Sequence, residues 1–203
     1  VPKAFSAYSQ MQGQAELGFI VVQIDGMGTS NRSKAFHDNY YGFFGDNGLP
    51  DHITAIKQLG ARYKFIDTDK VGIFGHSGGG FGTWTAVAEQ PARFAAAITS
   101  AGWLAPWFNA TAVKDIPIWS FQGAKDKTSQ VSMGNSTFER MKAVGANMKF
   151  TEVANIGHGV GGVAFRYSGD STENTGVTKY ASDRYDKTAD VWDWLFSKKR
   201  GAK

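Results

Sequence analysis

The sequence predicts an α/β fold, a mainly parallel sheet flanked by helices, on three observations. Short β-branched runs alternate with segments of helical period along most of the 203 residues. The run Phe19-Ile-Val-Val-Gln-Ile24 is β-branched and nearly all apolar rather than alternating, as in a parallel strand covered on both faces. No internal repeat or linker-like stretch divides the chain, so one domain over residues 1–203 is expected.

In chain order, Phe5, Tyr8, Met11 and Ala15 share one face of a helix over about residues 3–16, and Leu17-Gly18 ends it. The run Phe19-Ile-Val-Val-Gln-Ile24 is the first expected strand. Residues 25–49, rich in Gly, Asn and Asp and without a period, form a long loop. Pro50-Asp51 then starts a helix that turns Ile53, Ile56 and Leu59 inward. Further strands are expected at 71–74, 94–99, 116–121 and 148–153, with helices at 79–90 and 132–144, the second closed by Gly145. The Gly/Ser/Thr-rich stretch 159–182 reads as an excursion loop. A final helix sets Tyr185, Ala189, Trp192 and Phe196 on one face.

Composition removes several classes of function. Hydrophobic residues at 42% and charged residues at 20% are ordinary for a folded domain, which excludes a disordered chain. No apolar run approaches the length of a membrane span. With no Cys there is no disulfide framework, no Cys-based zinc site and no thiol nucleophile, so covalent chemistry must come from oxygen or nitrogen. Nothing calls for a metal or a cofactor. The net charge of +4 comes from scattered basic residues, except at Lys198-Lys199-Arg200 and Lys203, which read as a solvated end. A nucleic-acid partner would need a basic stripe with interleaved aromatics, and none is found. The chain opens on Val-Pro-Lys without an initiator Met, so it reads as processed, trimmed or excised from something longer. Asn31-Arg-Ser, Asn109-Ala-Thr and Asn135-Ser-Thr match the glycosylation sequon, a three-residue pattern that recurs by chance.

The informative residues are Gly75-His76-Ser77-Gly78-Gly79, a G-x-S-x-G pattern directly after one expected strand and directly before a helix. A turn that tight leaves little room for Cβ atoms and lifts the Ser hydroxyl out of the sheet toward a helix N-terminus. The plainer reading is an anion-binding helix start, but neither G-x-G-x-x-G nor the phosphate-loop Lys is present. A Ser hydroxyl needs an adjacent base to act as a nucleophile. In the chain order that accompanies this turn the acid and then the His follow the Ser, which removes His37 and His52, while His76 lies within the turn. His158 remains, in Asn155-Ile-Gly-His158-Gly just past the strand at 148–153; its plain reading is a surface loop His. Five carboxylates lie between Ser77 and His158. Glu89 and Glu139 fall on helices, Glu152 in a strand, and Asp115 before one. Asp126, in Gln122-Gly-Ala-Lys-Asp126, sits at the carboxyl end of a strand, where ligand sites of such sheets form. Its plain reading is a turn-forming Asp between Lys125 and Lys127.

These residues resemble the α/β-hydrolase superfamily, and two branches of it. Over residues 1–102 the chain is similar to the catalytic domain of the prolyl oligopeptidase family, in Asp25-Gly-Met-Gly-Thr-Ser, Asp51-His-Ile-Thr-Ala-Ile-Lys-Gln-Leu59 and the turn Gly-His-Ser77-Gly-Gly-Gly-Phe. From Ile116 onward, Ile-Trp-Ser-Phe-Gln-Gly-Ala-Lys-Asp126, Lys149-Phe-Thr-Glu-Val and Asp193-Trp-Leu-Phe-Ser-Lys-Lys-Arg resemble bacterial carbohydrate-type esterases and polyester depolymerase relatives. Both resemblances imply a triad of Ser77, Asp126 and His158, and they disagree on substrate. The family's peptidases carry a β-propeller that restricts access, and nothing in this sequence is expected to form one. In α/β-hydrolases several strands precede the helix with which this chain begins, so the core is expected without its usual first strands. The loop after one of those strands supplies half the oxyanion hole. Gly78 N–H is then the one clear oxyanion donor, with Thr29 or Ser30 as candidate replacements for the other. The sheet is expected to expose an edge near residues 19–24, prone to pairing with another copy of the chain.

The expectation is a serine hydrolase that cleaves carboxylic esters through an acyl-enzyme. A serine peptidase acting on short peptides is the second reading, and a non-catalytic binding protein that kept the fold is the third. Only about fifteen residues join the strand ending near Thr99 to the one starting at Ile116, too few for a large lid. Trp103, Trp107 and Phe108 lie in that connection, as lining of an acyl or aryl pocket or as cover for the core.

Overall fold

The computed structural model describes residues 10–42, 48–169 and 175–201. The chain forms two compact units, residues 1–68 and residues 69–203.

In the first unit, helix α1 spans Gln10–Glu16, α2 Lys34–Asp38 and α3 Leu49–Arg62. The part of the expected first helix at residues 3–9 lies outside the described residues, as does 43–47 of the expected loop. Ser33 caps α2 by accepting the Phe36 N–H at 3.2 Å. Pro50 in the first turn and Asp51 beside it start α3, where Leu49 is buried and Ile53, Ile56 and Leu59 are half-buried. Asp51 also accepts the Met27 N–H at 2.7 Å, tying the loop to α3. The strand expected at 19–24 does not form: Ile20 is 55% exposed and Val22 49%. An apolar β-branched run becomes a strand only when a neighbour completes its ladder of backbone hydrogen bonds. The run therefore forms no sheet edge.

The second unit holds a five-stranded sheet in the order β1 (Gly72–His76), β2 (Ala96–Ser100), β3 (Ile118–Gly123), β4 (Met148–Val153) and β5 (Gly176–Tyr180). The first four are parallel and β5 runs antiparallel to β4. Helix α4 (Gly78–Glu89) follows β1 and α5 (Val131–Ala143) follows β3, while the short α6 (Gly161–Ala164) and α7 (Val191–Phe196) come later. Four strands thus lie within a few residues of their expected places. The fifth was hidden in the expected excursion loop because it is a short, half-exposed edge in a Gly/Ser/Thr-rich stretch whose residues 170–174 lie outside the described ones. Thr178 anchors it, its hydroxyl 2.8 Å from that of Thr151. The final helix is also shorter than its period suggests. Asp190 caps it by accepting the Trp192 and Asp193 N–H groups, so Tyr185 and Ala189 precede it and Val191 and Trp194 are its buried residues. Lys203, at the end of the basic tail, lies outside the described residues.

The core beneath β2, β3 and β4 is aromatic. Trp119 stacks on Phe121 at 5.1 Å and meets Tyr167 and Trp194 edge-on at 5.9 and 5.5 Å. Burying a ring system of this size removes roughly 200 Å² from water, a gross gain of about 5 kcal/mol before entropy. Lys149, 3% exposed, projects into the same region with its ammonium 3.6 Å from the Trp119 ring centre and donates to the Thr188 carbonyl at 2.8 Å. Burial pulls its pKa down to about 8, Asp186 opposing and Lys198 adding to the shift. Among the described residues no helix is long and apolar enough to cross a membrane.

Candidate active site

β1 runs straight into α4 through Ser77, which has φ 57° and ψ −120°. For a residue with a Cβ this is a strained conformation, costing on the order of 1–3 kcal/mol. Close packing holds it. The Ser77 N–H donates to Ser100 O at 2.9 Å and the Phe81 N–H returns to Ser77 O at 3.0 Å. A Cβ on Gly75 would stand 2.1 Å from Gly79 O, and one on Gly80 would stand 2.6 Å from Ser100 O. At Gly79 itself a Cβ would meet nothing within 4 Å, so the crowded positions are Gly75 and Gly80 rather than both glycines of the motif. Gly78 N–H lies in the first turn of α4, where helix geometry provides no intrahelical acceptor, and the helix dipole adds partial positive charge.

The structure brings Ser77, His158 and Asp126 together. His158 Nε2 lies 2.8 Å from Ser77 Oγ, and its Nδ1 lies 2.9 and 3.2 Å from the two Asp126 oxygens. The ionised carboxylate only accepts, so Nδ1 carries the proton and Nε2 is left to accept from the Ser77 hydroxyl. The Asp126 side chain is fully buried, whereas that of His158 is 31% exposed. Burial alone would raise the Asp126 pKa. The hydrogen bond from His158 and those from the Ser129 and Thr128 N–H groups outweigh it and hold the carboxyl below its ordinary value.

Local sequence explains how two distant loops meet. A Cβ on Gly123 would stand 2.2 Å from Gly157 O, so only glycine at the end of β3 lets the loop before His158 lie against it. The Lys125 N–H fastens the same loop by donating to Ile156 O at 3.0 Å. Sequence reasoning missed Gln122, which is 1% exposed and donates through Nε2 to Asp126 Oδ2 at 3.2 Å and to Ser129 O at 2.8 Å. It also missed His76. That ring lies 5.0 Å from the His158 ring and within 3.0 Å of Ser100 Oγ, in space left by Gly161, where a Cβ would come within 2.9 Å of it. Burial chiefly, then the His158 charge, lowers the His76 pKa, against a smaller opposing pull from Asp126. Its place next to Ser77 was the only signal for it; Gln122 left none, since a Gln four residues before an Asp is commonplace.

Trp103 is half-buried and meets Phe81 of α4 edge-on at 5.7 Å. Trp107 is 75% exposed, beside Phe108. Thr29 donates its hydroxyl proton to Gly26 O at 2.8 Å.

A family model described as the prolyl oligopeptidase family matches residues 4–106, half of the chain. The match contains Ser77 and ends before Asp126 and His158. Human dipeptidyl peptidase 8 is 34% identical over 94 residues, which are 46% of this chain and 10% of that protein. A solved thermostable esterase covers 76% of this chain and 37% of its own at 26% identity, with a TM-score of 0.55. An acylaminoacyl peptidase from Pyrococcus horikoshii covers 69% of this chain and 28% of its own at 17% identity, with a TM-score of 0.62, a likeness of fold. This chain therefore spans about a tenth of the curated relative's length and well under half of either solved chain. With an α/β-hydrolase sheet and a family match that runs through the Ser77 turn, this chain belongs to the prolyl oligopeptidase family of serine hydrolases.

Proposed function

We propose that residues 1–203 work as one α/β-hydrolase domain that cleaves small or exposed carboxylic esters through an acyl-enzyme on Ser77. The observation that carries this is the continuous relay from Ser77 Oγ to His158 Nε2 at 2.8 Å and from His158 Nδ1 to Asp126 at 2.9 Å. Ser77 attacks the acyl carbonyl as its proton passes to His158, and Asp126 orients and stabilises the imidazolium. Gly78 N–H donates to the oxyanion. Collapse of the tetrahedral intermediate expels the alcohol, which takes the proton from His158. Water then attacks the acyl-enzyme, giving its proton to His158, and releases the acid and Ser77. In this reading Trp103, which meets Phe81 of α4 edge-on at 5.7 Å, lines the acyl pocket.

Two observations support esters over peptides: the short β2–β3 connection and the likeness to an esterase over most of this chain. The second reading, hydrolysis of short peptides, is supported by the similarity to a dipeptidyl peptidase over 94 residues. Specificity constants for p-nitrophenyl acetate and butyrate, beside those for Gly-Pro and Ala-Pro p-nitroanilides, separate them. Higher values for the esters are expected. The reverse order replaces the ester reading with the peptidase one, and no turnover of either, with Ser77 inert to fluorophosphonate, leaves a binding protein.

A further inference from the structure

We propose that Arg140 is a positioning residue that fixes the wall beside the acyl group, and so sets how long an acyl chain the site accepts. The inference rests on the ester reading above and adds the element that selects among esters.

Arg140 lies near the end of α5, the helix that follows the Asp126 loop. Its Nη1 donates to Leu104 O at 2.8 Å and Ala105 O at 3.2 Å, and its Nη2 donates to Pro106 O at 3.5 Å and to Phe108 O. Among the described residues this guanidinium hydrogen-bonds to backbone carbonyls of the β2–β3 connection, from Leu104, Ala105, Pro106 and Phe108. One turn earlier on α5, Thr137 Oγ1 accepts the Leu104 N–H at 3.1 Å. A planar fork of five donors matches a set of convergent carbonyls in a way that an ammonium does not. Leu104 and Ala105 are each 1% exposed, so their carbonyls would be left buried and under-satisfied without Arg140. The connection is therefore a strap bound to α5 and not a free loop.

The strap holds the aromatic residues. Trp103 is pinned on both sides. Before it, Gly102 presses on α4 so closely that a Cβ would stand 2.5 Å from Gly80 C. After it, Leu104 is held by Thr137 and Arg140. The Trp103 ring rests edge-on against Phe81, whose N–H bonds to Ser77 O, so the orientation of this wall is tied to the nucleophile's own turn. Trp107 sits between Pro106 and Phe108, whose carbonyls share Arg140 Nη2. The strap thus fixes the backbone on either side of Trp107, which is 75% exposed. Four backbone ties from one side chain convert a short flexible connection into a rigid surface, and a rigid surface is what discriminates chain length.

The test measures p-nitrophenyl acetate, butyrate and octanoate hydrolysis by the wild type, Arg140→Lys and Arg140→Gln, with circular dichroism to establish folding. The octanoate-to-acetate ratio of kcat/KM should rise about tenfold in Arg140→Gln, as the loosened wall admits the longer chain, mainly through a lower KM for octanoate, and less in Arg140→Lys. A merely structural role would lower all three esters together, and that result, or a ratio within about twofold of the wild type, overturns the proposal. Should both variants fail to fold, Thr137→Val loosens the strap without touching the charge. A smaller shift in the same ratio is then expected, and an unchanged ratio overturns the proposal. Labelling of Ser77 by short-chain and long-chain alkyl fluorophosphonates separates failure of this inference from failure of the ester reading. If esters are not turned over but Arg140→Gln still loses discrimination between the two probes, only the ester reading falls. If discrimination between the probes persists in Arg140→Gln, the wall proposal falls.

Discussion

Two runs that both read as strands in the sequence, 19–24 and 94–99, meet different fates. Residues 96–100 form β2, paired with β1 on one side and β3 on the other, and every one of them is buried. Residues 19–24 form no strand, and Ile20 and Val22 are about half exposed. The difference is not composition. A strand is completed by the backbone groups of its neighbours, and β2 has two such neighbours whose order in the sheet follows their order in the chain. Neighbours also decide where chemistry sits. β2 hands the Ser100 carbonyl to the Ser77 N–H, and the end of β3 receives the His158 loop, whereas the run at 19–24 positions nothing through a ladder.

The largest effect expected from this contrast falls at the carboxyl ends of the paired strands. Ser77→Ala and His158→Ala should each lower p-nitrophenyl butyrate hydrolysis by about 10⁴-fold or more while the protein stays folded, because these groups act as a unit. Asp126→Asn should cost somewhat less. Persistent turnover in Ser77→Ala would break the link between the strained turn and catalysis. Next, Ile98→Ala should destabilise the protein by about 2–5 kcal/mol in urea unfolding, as expected for a fully buried strand residue.

The paired region also carries a pH signature. Lys149 has a pKa near 8 in the folded protein and an ordinary value of 10.5 when unfolded. Between those values the unfolded chain binds more protons than the native one, so stability rises with pH across that window, by at most about 3 kcal/mol. Urea midpoints from pH 7.5 to 10.5 should show the rise in the wild type and not in Lys149→Met. An equal rise in both would assign it to other groups. Gly123→Ala, which pushes a Cβ into the Gly157 carbonyl, should cost about 1–3 kcal/mol and lower activity by displacing the His158 loop. The smallest effect belongs to the unpaired run: Ile20→Ala should change stability by less than about 0.5 kcal/mol. A loss as large as that of Ile98→Ala would erase the contrast from which these expectations come.

By itself the sequence determined the α/β class, four of the five strands, the long helices and the identity of the three residues proposed as the triad. Each has a local or chain-order signature: apolar runs of strand length, a 3.6-residue period, a glycine-framed Ser between strand and helix, and one His and one Asp left where loops follow strands. Tertiary structure alone decided the rest. It withheld a ladder from residues 19–24 and made an edge strand of Gly176–Tyr180, whose polar, half-exposed residues carry no periodic signal. It set Gln122 and His76 around Asp126 and His158, placed Lys149 against Trp119, and bound Arg140 to four carbonyls some thirty residues away. A local pattern records the conformation a segment prefers. Which backbone groups, rings and charges become its neighbours depends on contacts between distant parts of the chain, and those are settled only when the sheet assembles.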